Sequence, residues 1–431
     1  MNGIYDIIII GAGPSGIFCS YTIREKNKKV SILVVDKGAP VDMRRCNYRC
    51  SDCHVCNILC GGGGAGLASD GKLTLDQSTG FKLDCGFPSD TLHDYVSLID
   101  SIFTTFGHKG RLYFPKNKEV FSKLTKRGFT VKPYPTRHIG SEKIRSTCKN
   151  IINFLENEQI EFKWHTEVTE IKTNPSLGIC TKDGNVYTCK YLILAVGRSG
   201  SLWLSKELKK LGLTTLPLGH SSIGVRIEFE GIKFEEFVNE VYDVKIEYDD
   251  CRTFCWNPYG EVILENYGTF KAVNGHAFAD LKTKHTNFAV LCKTKMDVSP
   301  VAEKLNINGL PIAQNLGDFI TGKKSSHLKT DPTLKRYKLG DISKRLPPQL
   351  LGKLCRFIKK LDEVEPLIQD SIVYAPEVKF LIYPIKINKQ TFETSINNLY
   401  VVGDCSGYTA SIVGAAMSGI IASNDLIKKL H

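Results

Sequence analysis

The sequence lacks any stretch that could span a membrane and any tract of clustered charge. The apolar run 7–10 ends in glycines, and the longer run 412–421 is interrupted by Gly414, Ser418 and Gly419. The formal net charge is +12, but the Lys and Arg residues are interleaved with acids, which indicates surface charge rather than a nucleic-acid site. The first strand leaves no room for a signal peptide, so we expect a cytoplasmic protein without a membrane span or a nucleic-acid partner.

A strand, a glycine-rich turn and a helical pattern open the chain. Four isoleucines at 7–10 predict a strand that is buried on both faces. Gly11 suits the tight turn, Gly13 lets backbone N–H groups approach a pyrophosphate, and Gly16 lets the helix pack against the strand. A second apolar run ends at Asp36, where a carboxylate can accept ribose hydroxyls. This spacing predicts a dinucleotide site.

Two later strands end in a similar way. The run 191–198 passes through Gly197, and the run 398–404 ends in Gly403 and Asp404 before a helix rich in small residues. Both would return the chain to the first sheet, so that three distant segments form one site. The residues predicted to bind the cofactor are Gly11, Gly13, Pro14, Ser15, Gly16, Asp36, Lys37, Gly62, Gly63, Gly64, Lys72, Val168, Gly197, Gly403, Asp404 and Gly414.

The remaining patterns predict two domains in an α/β fold. Helical periodicity covers 89–106 and 141–155, a strand is predicted at 161–171, and a hairpin at 178–189. The stretch 219–380 alternates strands with helical segments. We therefore predict a Rossmann-like domain with an inserted mixed α+β substrate domain. The predicted boundaries are 1–88, 141–215 and 385–431 for the first domain, and 89–140 and 216–384 for the second.

The three-segment arrangement resembles the FAD-binding domain of the glutathione-reductase-like flavoproteins, which implies FAD rather than NAD. More narrowly, the chain is similar, nearly end to end, to a family of bacterial and archaeal FAD-dependent dehydrogenases whose substrates are mostly unassigned. The resemblance implies hydride transfer at a flavin but no particular substrate. The matching segments are 45–60, 62–73, 137–140, 224–226, 252–255, 273–276 and 287–289.

The sequence has no second Gly-x-Gly-x-x-Gly turn after a strand, so a separate NAD(P)H domain is not predicted. Three sources of electrons stay open. The organic substrate could reduce the flavin directly, NAD(P)H could dock without this motif, or electrons could arrive from a metal cluster or a partner protein.

The fifteen cysteines, without an export signal, favour thiols, metal or redox chemistry over a disulfide scaffold. Cys50, Cys53, Cys56 and Cys60 have the spacing of a ferredoxin run that binds a [4Fe–4S] cluster, although Gly61 stands where that run has proline. Zinc binding, a redox dithiol and a reduced loop that simply packs over the cofactor are the alternatives.

Four residues of the second domain are candidates for catalysis or substrate binding. His276 or His138 could move a proton as hydride moves to or from the flavin. Arg226 and Arg252 suit an anionic substrate, because a guanidinium can bond both oxygens of a carboxylate. Each of the four could instead be structural.

The leading prediction is an FAD-dependent oxidoreductase that acts on an organic, anionic small molecule. The first alternative is a C=C reductase that resembles the geranylgeranyl reductases, which an apolar pocket would favour. The second is a redox sensor or electron-transfer protein, in which the cysteine loop and FAD exchange electrons with a partner protein.

Overall fold

The computed structural model describes residues 3–46, 53–77, 79–81, 86–214, 221–379 and 385–430. The strands in these parts of the chain are β1 (Gly3–Ile10), β2 (Ile32–Val35), β3 (Lys72–Thr74), β4 (Arg111–Tyr113), β5 (Thr130–Pro133), β6 (Thr136–His138), β7 (Glu161–Lys163), β8 (Val168–Lys172), β9 (Leu177–Thr181), β10 (Val186–Leu194), β11 (Ser221–Glu230), β12 (Val244–Tyr248), β13 (Cys251–Asn257), β14 (Glu261–Asn266), β15 (Lys271–His276), β16 (His285–Thr294), β17 (Asn306–Ile307), β18 (Leu310–Asn315), β19 (Lys338–Leu339), β20 (Ile372–Lys379) and β21 (Leu399–Val401). The helices are α1 (Pro14–Lys26), α2 (Ser89–Phe106), α3 (Ser122–Lys126), α4 (Ser141–Asn157), α5 (Gly197–Lys210), α6 (Glu235–Val241), α7 (Ser299–Lys304), α8 (Leu316–Thr321), α9 (Pro348–Asp362) and α10 (Ile412–Leu430).

The first sheet places the three predicted segments side by side. Its order is β7-β2-β1-β10-β9-β8, and β21 pairs with the end of β10. Strands β1, β2, β7, β10 and β21 run parallel, so their carboxyl ends meet at one edge. In an open parallel sheet that edge is where ligands bind. The α/β, Rossmann-like prediction is therefore confirmed.

Apolar side chains on both faces explain why β1 is a run of isoleucines. Ile7 and Ile9 enter a core shared with α1, α2, α4 and α10, whereas Ile8 and Ile10 enter the core on the other face, with α5. A strand covered on both sides reads as a continuous apolar run. The central strand of the dinucleotide fold can be recognised in the sequence for this reason.

A second, larger sheet forms the core of the inserted region. Its order is β17-β18-β20-β11-β16-β13-β12-β5, and β19 pairs with β18. Its long strands are antiparallel, and α9 packs over β13 and β16. The mixed α+β prediction for this region is confirmed. None of the described helices combines the length and the apolar character needed to cross a bilayer.

Three details differ from the sequence predictions. The segment 161–171 forms two short strands, β7 and β8, that lie at opposite ends of the first sheet. Helix α2, predicted to belong to the second domain, packs its apolar face into the first core. Cys251 and Cys292, which are paired across β13 and β16, form a disulfide although the cysteine pattern predicted thiols.

Candidate functional site

The turn after β1 is held by the carboxylate of Asp36. Its Oδ2 accepts the N–H of Ala12 at 2.9 Å, and its Oδ1 accepts the N–H groups of Gly38 at 2.8 Å and Gly61 at 2.9 Å. A carboxylate has about four acceptor positions, so capacity for a ribose hydroxyl is left. Asp36 therefore also joins the first glycine turn to the glycine segment that follows the cysteine loop.

The two glycine segments touch through their backbones. Gly63 donates to the carbonyl of Ala12 at 2.9 Å, and a Cβ on Gly64 would lie 2.9 Å from the Cα of Gly13. A Cβ on Gly16 would lie 2.0 Å from the carbonyl oxygen of Gly11, so only glycine allows α1 to start this close to the strand. Helix α1 begins without a side-chain cap and leaves its first N–H groups available to an anion.

A cavity of about 390 Å³ joins this cradle to the second sheet. Of the predicted cofactor residues, those lining it are Gly11, Gly13, Pro14, Ser15, Asp36, Lys37, Gly64, Lys72, Val168, Gly197 and Asp404. Gly16, Gly62, Gly63, Gly403 and Gly414 do not line it and act in the packing behind it. At Gly414, for example, a Cβ would lie 2.2 Å from the carbonyl oxygen of Gly80.

Arg44 fixes the second glycine segment from behind, and the sequence analysis did not identify it. Its side chain is 3% exposed and donates to the carbonyls of Asn57, Ile58, Gly62 and Gly64 at 2.6–3.1 Å. Burial lowers the pKa of Arg44 to about 10, so the guanidinium stays charged at neutral pH. Its position beside a second arginine, just before the cysteine run, gives no signal of this role.

Lys72 reaches the cavity from a buried polar cluster. Its Nζ lies 2.8 Å from Asp243 and 3.5 Å from Asp70. Burial would lower the pKa of Lys72, but the two carboxylates outweigh it and the pKa is raised. Burial raises the pKa of Asp70 to about 7, although Lys72 opposes the shift. Lys72 is thus a fixed ammonium at the cavity wall.

His138 belongs to the same cluster but does not line the cavity. Its ring stacks on Tyr242 with the centroids 4.2 Å apart, and its Nε2 lies 2.9 Å from the Tyr242 hydroxyl. That hydroxyl donates to Asp70 at 3.3 Å. Burial, and then the charge of Lys72, lower the pKa of His138 to about 3. The ring is therefore neutral at pH 7.

His276 and Arg226 are also placed in packing rather than on the cavity. His276 is 0% exposed, its Nδ1 lies 3.0 Å from the Ser141 hydroxyl, and burial lowers its pKa to about 4. Arg226 is 0% exposed and donates twice to Glu377, at 2.8 Å each. His138, His276 and Arg226 therefore do not line the cavity. Each is buried against another side chain: His138 against Tyr242, His276 against Ser141, and Arg226 against Glu377.

Arg252 is the one predicted catalytic-site residue that lines the cavity. Its Nε is buried and has no hydrogen-bond partner among the described residues, and its guanidinium lies 5.7 Å from the centre of the Phe254 ring. Lys245 lines the same end of the cavity. The sequence analysis missed Lys245, although it lies in the stretch 219–380 that was predicted to alternate strands with helical segments, where every second residue of a strand shares a face.

Arg198 follows Gly197 at the start of α5 and was also missed. It lies 3.2 Å from Glu265 of the second domain and 4.0 Å from Asp404 of the first. Its guanidinium thereby joins the two walls of the cavity. The only sequence signal was its position directly after a predicted site glycine.

The predicted metal site is not tested as a whole, because Cys50 lies outside the described residues. Cys53 is exposed, Cys56 is half-buried, and Cys60 is buried with its Sγ 3.3 Å from the Ser199 hydroxyl. Among the described residues, no group of three or more His, Cys, Asp or Glu side chains is arranged to hold a metal ion. Cys60 and Cys255 both line the cavity, and burial raises the pKa of each thiol.

The residues at the carboxyl edge of the first sheet suit FAD. The uncapped start of α1 and the two touching glycine segments would receive the pyrophosphate, and Asp36 would receive the adenosine ribose. Asp404, whose Oδ1 accepts the Thr409 hydroxyl at 2.8 Å, lines the cavity and would receive the ribityl hydroxyls.

Comparison with known proteins supports this assignment. Residues 8–199 match the model of a family described as FAD-NAD(P)-binding. No curated protein gives a significant match.

Among solved structures, glycine oxidase from Geobacillus kaustophilus matches at 10% identity and a TM-score of 0.44, with 100% of this chain and 95% of that chain covered. A flavoprotein/dehydrogenase from Cytophaga hutchinsonii matches at 12% identity and a TM-score of 0.43, with 99% and 78% covered. At this low identity and TM-score, the similarity to these structures does not indicate which activity this protein has. The family match and the geometry of the cradle together indicate an FAD-NAD(P)-binding domain that includes residues 8–199.

Proposed function

We propose that the protein is an FAD-dependent oxidoreductase that transfers a hydride between an anionic organic substrate and the flavin. The observation that carries this proposal is the continuity of the cavity, which runs from the glycine cradle and Asp36 to Arg252 on the second sheet. A ligand held by Arg252 would share one enclosed space with the cofactor. When bound, FAD supplies the redox chemistry by exchanging a hydride at the flavin ring.

The residues of this chain bind and orient the cofactor and the substrate. The cradle holds the dinucleotide, Arg252 binds the anionic group of the substrate, and Lys72 provides a fixed positive charge on the cavity wall. We also propose that the chain is related to the glutathione-reductase-like flavoproteins and, more narrowly, to the FAD-dependent dehydrogenases that its sequence resembles. The proposed location is the cytoplasm.

The C=C reductase alternative is less well supported. It requires an apolar pocket, whereas the cations Lys72, Lys245 and Arg252 all line the cavity. Of the two arginines predicted to bind an anionic substrate, Arg252 lines the cavity and Arg226 does not.

The redox-sensor alternative has one observation in its favour. Cys60 lines the cavity while Cys53 of the same loop is exposed, so the loop connects the cofactor cradle with the surface. Electron exchange with a partner protein through this loop, with or without a [4Fe–4S] cluster or zinc, is therefore our second candidate function.

Anaerobic purification with a visible spectrum and an assay for FAD, iron and sulfide tests these proposals together. We expect about one FAD per chain and bleaching of the flavin bands by the correct substrate. A colourless protein that takes up no added FAD would refute the proposed function. Flavin bands with stoichiometric iron and sulfide would favour the cluster, and flavin bands alone would remove it.

A further inference from the structure

Two cations share one face of the second sheet, at the end of the cavity that this sheet forms. Strands β12 and β13 are antiparallel, with Glu247 opposite Arg252. Because alternate residues of a strand share a face, Lys245 lies on the same side as Glu247 and is a diagonal neighbour of Arg252. Both cationic side chains line the cavity.

Two carboxylates, Glu247 and Asp243, attract both cations, but neither cation pairs directly with them. Lys245 and Arg252 make no ion pair within the described parts of the chain, and the Nε of Arg252 is buried without a hydrogen-bond partner. Glu247, the carboxylate on their face, forms its ion pair with Lys132, at 2.6 Å. Asp243, at the edge of the same cavity, lies 2.8 Å from Lys72.

The positive charges of Lys245 and Arg252 repel each other. Burial lowers the pKa of Arg252. Burial, and then the nearby charge of Arg252, lower the pKa of Lys245. The pKa of both cations stays lowered although Glu247 and Asp243 oppose the shift, so the two carboxylates do not fully compensate the two positive charges. Incompletely compensated like charges in a partly enclosed pocket are typical of a binding site.

We propose that this end of the cavity binds an organic acid that carries two anionic groups. The inference rests on the proposed function and narrows its substrate class. One carboxylate fills the guanidinium fork of Arg252. A second anionic group, either a carboxylate or a phosphate, is needed to compensate Lys245.

The phosphates of FAD do not account for these two charges. The pyrophosphate position is set by Gly13, Gly64 and the start of α1, at the edge of the first sheet. Lys245 and Arg252 belong to strands of the second sheet, across the cavity. The other part of FAD that these two cations could face is the edge of the flavin ring.

The test uses the FAD-loaded full chain and follows the flavin absorbance as acids are added. The probes are the dicarboxylates from malonate to adipate, each compared with the monocarboxylate of equal length, and 3-phosphonopropionate. We expect at least one dianion to bind about tenfold or more tightly than its monoanion, because a second charge pair contributes about that factor. Preference for the phosphonate over succinate would assign the second group to a phosphate.

Two variants and a control locate the effect. Lys245→Met is expected to remove most of the preference for dianions and to leave monocarboxylate binding within about twofold. Arg252→Met is expected to weaken both classes. Lys295→Met, which removes the same charge from an exposed position of the second domain, is expected to change neither.

The outcomes separate this inference from the proposed function. A wild-type protein that binds no FAD would refute the function itself. A protein that binds FAD but shows no preference for any dianion, or that keeps the preference in Lys245→Met, would overturn the inference alone. A shifted flavin reduction potential in ligand-free Arg252→Met, with an unchanged preference, would assign the charge to the flavin edge and also overturn it.

Discussion

Arg226 and Glu377 form a two-bond ion pair that joins neighbouring strands of the second sheet. Nε donates to Oε2 and Nη2 donates to Oε1, at 2.8 Å each, and Nη1 donates to Asn257 and Asn287 at 3.1 and 2.7 Å. The guanidinium therefore has its donors directed at the protein. Glu377 lines the cavity, whereas Arg226 lies behind it.

This arrangement predicts that Arg226 is structural. Arg226→Met should lower the free energy of unfolding by about 3–5 kcal/mol, because it leaves Glu377 buried without its cation. The double variant Arg226→Met/Glu377→Leu should recover much of that loss, since no unpaired charge remains. Urea unfolding of the three proteins measures both effects. A single variant with wild-type stability and altered ligand binding would instead place Arg226 in the binding site.

Arg44 is predicted to determine FAD affinity without touching the cavity. Arg44→Met leaves the carbonyls of Gly62 and Gly64 without their donor, so the second glycine segment should lose its fixed position. Because each unsatisfied buried group costs about 1–3 kcal/mol, we expect FAD affinity to fall about tenfold or more. Titration with FAD, followed by flavin fluorescence, measures this change.

The control for Arg44 is its exposed neighbour. Arg45→Met removes the same charge from the same segment and should bind FAD as the wild type does. Arg44→Lys keeps the charge but not the fork, so it should recover only part of the affinity. Equal FAD affinity in Arg44→Met and Arg45→Met would exclude the positioning role.

Gly13 offers a separate test of where the dinucleotide lies. A Cβ on Gly13 would meet only the Cα of Gly64, at 3.7 Å, which is an ordinary contact. Gly13→Ala should therefore fold with nearly wild-type stability and yet weaken FAD binding by about tenfold or more, because its methyl group occupies space needed by the phosphates. Gly352→Ala on α9 has room for a methyl group and should leave FAD binding unchanged. Unchanged FAD affinity in Gly13→Ala would show that the pyrophosphate does not bind at this turn.

The sequence predicts the cofactor half of the molecule well because its signals are local. Glycines at fixed spacing, an apolar strand buried on both faces and an acid at the next strand end all act within about 30 residues. The substrate half depends on contacts between distant segments. Arg226 and Arg252 are the same residue type on neighbouring parts of the second sheet, yet only the first meets Glu377, more than a hundred positions away.

The histidines show the same limit. A histidine near a predicted pocket can act on a substrate or can be enclosed, and only the packing decides between the two. The side chain of His138 is covered by Tyr242, and that of His276 lies beside Ser141 of α4. Neither contact has a signal in the local sequence, because each joins residues more than a hundred positions apart.

The burial of His276 predicts how stability depends on pH. Its pKa is lowered to about 4 in the folded protein, whereas the unfolded chain binds the proton near the ordinary value of about 6.5. The unfolded state therefore holds more protons between these values, and stability is lost as the pH falls from 6.5 towards 4. From pH 7 to pH 5, this residue should account for a loss of about 2 kcal/mol.

His276→Gln should reduce that loss, because a neutral amide cannot take up the proton in the unfolded state. Urea unfolding at pH 7 and pH 5 measures the difference, with His93→Gln, at an exposed position on α2, as the control for removing a histidine. His138 remains in both variants and shifts stability in the same direction, so the quantity to compare is the change between variants. If the wild type and His276→Gln lose equal stability between these two pH values, His276 takes up its proton over the same pH range in the folded protein as in the unfolded chain, and its burial does not keep it neutral.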